Sequence, residues 1–268
     1  MSAQADPSGF DTIVGQPDYY IEFLDARTGI DDETRVKQVI TGLVQAQDGV
    51  DVLDVGSGTG DDARKLAALV APHGKVVGVD RSPEMVAEAR GRAEGSGLPI
   101  EFVEGDAQAL DFPDASFDRC RAERVLIHLP DPVAAVREMA RVTRPGGLVV
   151  ASDIDGETIF VNSSNEQLTR GLVRGLTDDL ANGWVGRRLQ RYLVEAGLED
   201  VRCIANVIQN SVAFMRIVFA GRLAAMVDAG QTSADEVIHF WAELEQGERE
   251  GWLCSGIVCF NVVGRKPA

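Results

Sequence analysis

Val52–Gly60 reads VLDVGSGTG, an apolar run with one internal acid followed by three alternating glycines. The run suits a buried strand of a parallel sheet, and the glycines suit a tight turn into a helix. Such a turn lets backbone approach a ligand closely, and the helix start behind it offers unpaired N–H groups and positive potential. A second apolar run, residues 75–79 (KVVGV), ends at Asp80, whose carboxylate can accept two hydrogen bonds from ribose hydroxyls. Together the turn and the acid predict a nucleoside site.

Outward from this pair, strands and helices alternate from about residue 31 to 208, the pattern of a sheet covered on both faces. Residues 31–44 carry the apolar stripe Val36, Val39, Ile40, Leu43 and Val44, and the helix after the glycines carries Ala63, Leu66, Ala67 and Val70. Ser82-Pro83 and Asp131-Pro132 are cap-and-start pairs for two further helices. Strands are expected at 100–103, 117–121, 148–152, 200–208 and 256–263. A helix is expected over 186–196, ended by Gly197, and 211–250 reads as mainly helical. Residues 157–184 are helix-like with weak periodicity.

Composition narrows the partners. The 268 residues include 26 basic and 42 acidic ones, a net charge of −16, which opposes nucleic acid and anionic membrane surfaces. Arg187, Arg188 and Arg191 form a local basic group, read as a solvated helix face. No apolar run approaches the ~20 residues of a membrane span, and the first residues, MSAQADPSGFD, show no secretory signal, so a cytoplasmic protein is expected. Of four cysteines, Cys120, Cys203 and Cys259 lie in strand-like runs and read as reduced core thiols, and Cys254 completes no metal spacing. No metal is expected. Asp153 and Asp155 are the only candidates for one, and loop solvation explains them equally well.

Two nucleotide classes share the strand–turn–acid layout. A dinucleotide fingerprint asks for G-x-G-x-x-G/A, whereas Gly56, Gly58 and Gly60 give G-x-G-x-G. Asp61 and Asp62 beside the turn would repel a pyrophosphate. A cationic ligand without phosphate, S-adenosylmethionine, suits these residues better.

With VLDVGSGTG (52–60), VVGVDRSPEMV (76–86), EGDAQALDFPDASFD (104–118) and MARVTRPGGLVVAS (139–152), the chain resembles the class I S-adenosylmethionine-dependent methyltransferases. The pattern is similar to the small-molecule enzymes of ubiquinone/menaquinone biosynthesis and covers roughly residues 35–153. The resemblance implies an α/β fold: a Rossmann-like, seven-stranded, mostly parallel sheet with helices on both faces, an antiparallel last strand and helical cap insertions. Gly56, Ser57, Gly58 and Gly60 would then wrap the methionine and ribose of the cofactor, Asp80 would hold the ribose hydroxyls, and Arg81 would lie beside the adenine. Asp106 would accept from the adenine amino group while the Ala107 N–H meets a ring nitrogen.

Residues 119–129 (RCRAERVLIHL) follow the fourth strand, where cofactor and substrate meet in this family. Arg121 and Glu123 depart from the small or hydroxyl residues usual there; Arg121 is counted with the cofactor-binding set, and an Arg121–Glu123 contact shaping the floor is the alternative. His128 matches a histidine often found in the family and is the candidate general base, with a packing role as its alternative; His73 and His239 have no such placement. The chain lacks a D/N-P-P-Y/F motif and a Pro-Cys nucleophile. A small, apolar or aromatic metabolite is therefore the expected methyl acceptor at O, N or C. A non-methylating cyclisation or an inert binding protein is the rival.

One domain over residues 1–268 is expected: an N-terminal cap segment (1–34), the cofactor-binding core (35–153) and a substrate-side half (154–268). Its insert 211–252, with Tyr19, Tyr20, Phe23 and Leu24, would form an apolar lid or a homodimer contact.

Overall fold

The alternation of apolar residues around Asp54 sets the centre of the fold. In a computed structural model, which describes Ile21, Leu24, Asp25 and residues 31–268, Val52–Val55 is β1, with all four residues buried. It lies in mid-sheet, parallel to β2 (Val76–Asp80) on one side and β4 (Phe117–Glu123) on the other. Outside β2 runs β3 (Ile100–Glu104), and outside β4 runs β5 (Thr143–Ile154), both parallel to their neighbours. The strand order reverses between β2 and β4, so the carboxyl ends of β1 and β4 open a crevice where ligands bind in sheets of this kind.

Helices α1 (Asp31–Val44), α2 (Asp61–Val70), α3 (Pro83–Ala93) and α4 (Pro132–Val142) cover the two faces. Ser82 Oγ accepts the Met85 N–H at 3.2 Å, and Asp131 Oδ1 accepts the N–H groups of Val133 and Ala134 at 3.0 Å, so both expected caps form. Leu53, Val55 and Val79 enter the core on one face, and Val52, Val76 and Val150 enter the core on the other with Val36, Ile40 and Leu66.

The second half departs from seven strands. The chain runs through β6 (Phe160–Val161), α5 (Glu166–Asp179), α6 (Val185–Glu195), β7 (Glu199–Gln209), α7 (Val212–Asp228), α8 (Ala234–Glu250) and β8 (Ser255–Arg265). The last strand, β8, is antiparallel to β5 and to β7, as the resemblance implies. The sheet has eight strands because the two-residue β6 pairs with the start of β8 along the edge that β5 has left. Helices α5, α7 and α8 share a separate core with Leu172, Met215, Phe219, Phe240 and Leu244 at its centre. Two bonds fix the passage from β7 to α7: the N–H of Gln209, the last residue of β7, donates to Asp32 Oδ2 at 2.9 Å, and that of Val212, the first of α7, to Glu248 Oε1 at 2.8 Å.

Three sequence expectations are corrected. Cys203 is exposed, because β7 lies at the sheet edge beside β8 and its consecutive residues 202–205 all reach solvent, whereas Cys120 and Cys259 are buried. Asp153 and Asp155 are buried, not solvated: Asp153 Oδ2 accepts the Ile127 N–H at 3.0 Å, and Asp155 is bound by Arg187. Arg187 is thus the counterion of a buried carboxylate, while Arg188 and Arg191 are exposed helix-face charges, Arg191 paired with Glu195 at 2.6 Å. Among the described residues no helix is long and apolar enough to cross a membrane, and no three His, Cys, Asp or Glu side chains group to hold a metal. Tyr19, Tyr20 and Phe23 lie outside the described residues.

Candidate active site

The carboxyl ends of β1, β2 and β4 open into one cavity of about 660 Å³ that reaches from the glycine turn to α7. Gly56 makes the turn with φ +69°, and a Cβ there would collide with Val125 Cγ2, so the loop lies directly against the chain leaving β4. Asp80 closes the turn from the next strand. Its Oδ2 accepts the Gly58 N–H at 2.8 Å and its Oδ1 the Ser82 N–H at 3.0 Å, which leaves lone pairs on both oxygens facing the cavity lining. Burial raises the Asp80 carboxyl above the ordinary range, and the backbone donors and Arg81 partly offset this. Ser57 Oγ is buried with no hydrogen-bond partner among the described residues, and it lies in the same cradle.

Arg81, Asp106 and Ala107 also line the cavity; Asp106 is exposed, and its Oδ1 accepts the Gln108 N–H at 2.8 Å. Gly60 does not line it. As N-cap of α2 with φ +77°, it faces the Phe102 ring and lets the helix pack closely on the sheet. A glycine cradle, an orphaned buried hydroxyl and an acid with free lone pairs fit the ribose and methionine portions of S-adenosylmethionine.

Register builds the floor. Asp54 of β1 pairs directly across with Arg121 of β4, and Glu123 stands two residues on, on the same face. Arg121 Nε lies 3.2 Å from Asp54, and its Nη2 lies 2.6 Å from Glu123 and 3.6 Å from Asp62. Lys37 of α1 binds Asp62 and stands 3.4 Å from Glu123. All these groups lie in the cavity lining, so Arg121 is a cavity residue held by carboxylates, and the Arg121–Glu123 contact given as the alternative exists. Burial pushes the Asp54 carboxyl up to about 6, against the pull of Arg121. Asp62 is also raised by burial, but Arg121 and Lys37 more than offset this and hold it well below the carboxylate range.

Asp61 and Asp62 are not bare charges. Asp61 binds Arg64 and Arg92, and Asp62 binds Lys37, Lys65 and Arg121, so their repulsion of a pyrophosphate is weaker than the sequence alone suggests.

Past β4, Arg124 takes a left-handed φ of +57°, fixed by its N–H donating to Ser152 O at 2.8 Å. This turn sends its guanidinium to the buried Glu33, 3.2 Å away. His128 follows on the single helical turn Leu126–His128, half-buried and in the cavity lining. Of the insert, Phe214, Val218, Arg222 and Ala225 of α7 line the far wall, and Leu24 lines the cavity near Gly58. The sequence reading did not find Asp54, Lys37, Glu33, Arg124 or Arg222 as site residues. The lone acid inside VLDV was the one visible signal.

Residues 52–147 match the methyltransferase-domain family. An uncharacterized 37.1 kDa protein of a Streptomyces fradiae transposon is 38% identical over 179 residues, 66% of this chain and 51% of that protein. The ubiquinone/menaquinone biosynthesis C-methyltransferase of Hahella chejuensis is 42% identical over 112 residues, 41% of this chain and 45% of its own. The chain spans about half the length of these curated relatives. Among solved structures, the cyclase SpnF superposes with a TM-score of 0.59 at 25% identity, covering 88% of this chain and 82% of that one. With the sheet order and the glycine turn closed by Asp80, the domain match supports a class I S-adenosylmethionine-dependent methyltransferase domain over residues 52–147.

Proposed function

We propose that the protein transfers the methyl group of S-adenosylmethionine to O, N or C of a small, apolar or aromatic metabolite. The observation that carries the reading is the single cavity joining the cofactor cradle to an apolar wall on α7, with His128 in its lining. The bound cofactor supplies an electrophilic methyl group on a sulfonium. Asp80 and Ser57 hold its ribose end, Asp106 and Ala107 its adenine, and Arg121 with its carboxylate partners its methionine end. The walls of α7 exclude water and orient the acceptor in line, which supplies most of the gain in a direct displacement. His128 takes the proton that the acceptor loses as its new bond forms. The net charge of −16 favours a small molecule over nucleic acid as the acceptor.

Incubation with cofactor tritiated in its methyl group, against phenols, hydroxyquinones and aliphatic keto acids, tests the proposal. Label in an organic product together with S-adenosylhomocysteine is the expected result. The likeness to SpnF supports a second reading, cyclisation without methyl transfer. A product of unchanged methyl count, formed while the cofactor stays intact, would select it.

A further inference from the structure

Side chains of α7 divide into two stripes. Val212, Met215, Phe219, Leu223 and Met226 are buried in the cap core. Phe214, Ile217, Val218, Gly221, Arg222 and Ala225 follow one another at helical spacing, and all of them line the cavity. This second stripe is exposed or half-buried, apolar but for one residue, and runs about 16 Å from Phe214 to Ala225 at ~1.5 Å per residue.

The exception, Arg222, sits in a built seat. Its guanidinium crosses α5 at Gly175, where any Cβ would collide with Nε, and Nη1 donates to Asp179 Oδ1 at 3.3 Å. Glycine is a poor helix former, yet here, inside α5, it is what admits the arginine. Asp179 occupies one donor. Nε is buried without an acceptor among the described residues, so the seat holds a planar cation with donors to spare beside an apolar wall.

We infer that the second stripe of α7 is the acceptor-binding wall and that Arg222 selects, within the apolar class, elongated molecules carrying a carbonyl or carboxylate oxygen near one end. The inference rests on the proposed division of the cavity between cofactor and acceptor. Arg222 lies toward the C-terminal end of the stripe, so the body of the ligand extends from it toward Phe214. Asp179 neutralises the cation when no ligand is bound, and this keeps Arg222 compatible with its apolar surroundings.

The test uses the full chain saturated with S-adenosylhomocysteine and the neutral dye Nile red as reporter. Hexanoate, decanoate, tetradecanoate, methyl decanoate and decyltrimethylammonium are the competitors. Affinity should rise steeply with chain length, by up to about fourfold per methylene, and level off once the wall is covered. Decanoate should beat decyltrimethylammonium by about tenfold or more, and the ester, which keeps only the carbonyl, should fall between them. Arg222→Leu should keep dye binding and reduce that preference to within about threefold. Gly175→Ala should do the same without altering the arginine itself, because the added methyl displaces the guanidinium. Calorimetry with S-adenosylhomocysteine and a melting curve on each variant separate these effects from loss of fold.

Equal competition by carboxylate and ammonium in the wild type would overturn the inference, as would an unchanged preference in both variants. Exclusion of dye and of every competitor would show the wall to be covered by the protein's own chain and would overturn it as well. The competition is repeated without S-adenosylhomocysteine, so failure of the wild type to bind it would strike the methyltransferase reading while the wall is still judged by its preference for carboxylate over ammonium.

Discussion

Replacing Arg121 with methionine keeps most of the side-chain volume and removes the charge around which the cavity floor is built. In the native protein two cations, Arg121 and Lys37, face three carboxylates, Asp54, Asp62 and Glu123. Arg121 is 5% exposed, and Asp54 and Glu123 are 4% and 7% exposed, so little water is available to take over. Removing one member of a buried pair costs about 3–5 kcal/mol, a large share of the ~5–15 kcal/mol that holds a domain together. At ~2–4 °C per kcal/mol, the melting temperature should fall by roughly 6–20 °C at pH 8.

The loss should also depend on pH. Asp54 already has its carboxyl raised to about 6, and without Arg121 it rises further. An acid whose folded pKa stands above its unfolded value of ~3.9 stabilises the fold below that value, and the contribution is lost as pH rises through the folded pKa. The deficit of Arg121→Met should therefore be small at pH 5, where the floor can take up protons, and largest at pH 8. Glu123→Gln added to the variant should restore about 1 kcal/mol or more at pH 8, because a repelling charge is gone. Urea melts of the wild type, the single variant and the double variant at both pH values make the measurement. A deficit below about 1 kcal/mol at pH 8, or one equal at the two pH values, would refute the argument from an ionised, buried floor.

Asp80→Ala should weaken S-adenosylhomocysteine binding by about 1.5–3 kcal/mol in calorimetric titration, through loss of a charged acceptor and of the brace on the Gly58 N–H. His128→Ala should lower kcat by about a hundred- to ten-thousand-fold with cofactor affinity nearly intact. A single-turnover rate within threefold of wild type and a lowered melting point would instead make His128 a packing residue. Asp153, whose carboxyl is pushed up by burial to about 7, binds its proton more tightly folded than unfolded, so its contribution to stability falls as pH rises from about 4 to 7. Asp153→Asn cannot ionise, and the stability difference should swing toward the variant by roughly 2–3 kcal/mol between pH 5 and 8 in urea melts.

The cofactor half was legible because each of its signals is local. VLDVGSGTG, the Ser82-Pro83 and Asp131-Pro132 caps and the acid ending β2 all act within a few residues of themselves, and the structure forms each of these elements, with Gly60 alone turned from the cavity to the Phe102 ring. The floor was not legible. The cross-strand neighbour of Asp54 is fixed by register between strands 67 residues apart, and Lys37 arrives from a helix on another element. The insert was blurred for a different reason: α7 buries one apolar stripe and turns a second to the cavity, so it reads as apolar all round and hides its facing direction. Cys203 misled because the residues of β7 resemble those of a covered strand, and only its place at the edge leaves them exposed. The two-residue β6 is too short to leave a periodic trace.

The cap core is distinct from the two cores that flank the sheet; α7 is fastened at its start to Glu248, and the end of β7 just before it to Asp32. This arrangement has an evolutionary consequence. Val218 packs against the cap core, whereas Phe214, Ile217 and Ala225 belong to neither that core nor the glycine turn, so the energetic effects of substitutions at these three should add independently to those in the cofactor half. Acceptor preference can then drift by single steps while cofactor affinity and fold stability stay constant. Libraries confined to Phe214, Ile217 and Ala225 would be the economical route to new acceptors on this scaffold.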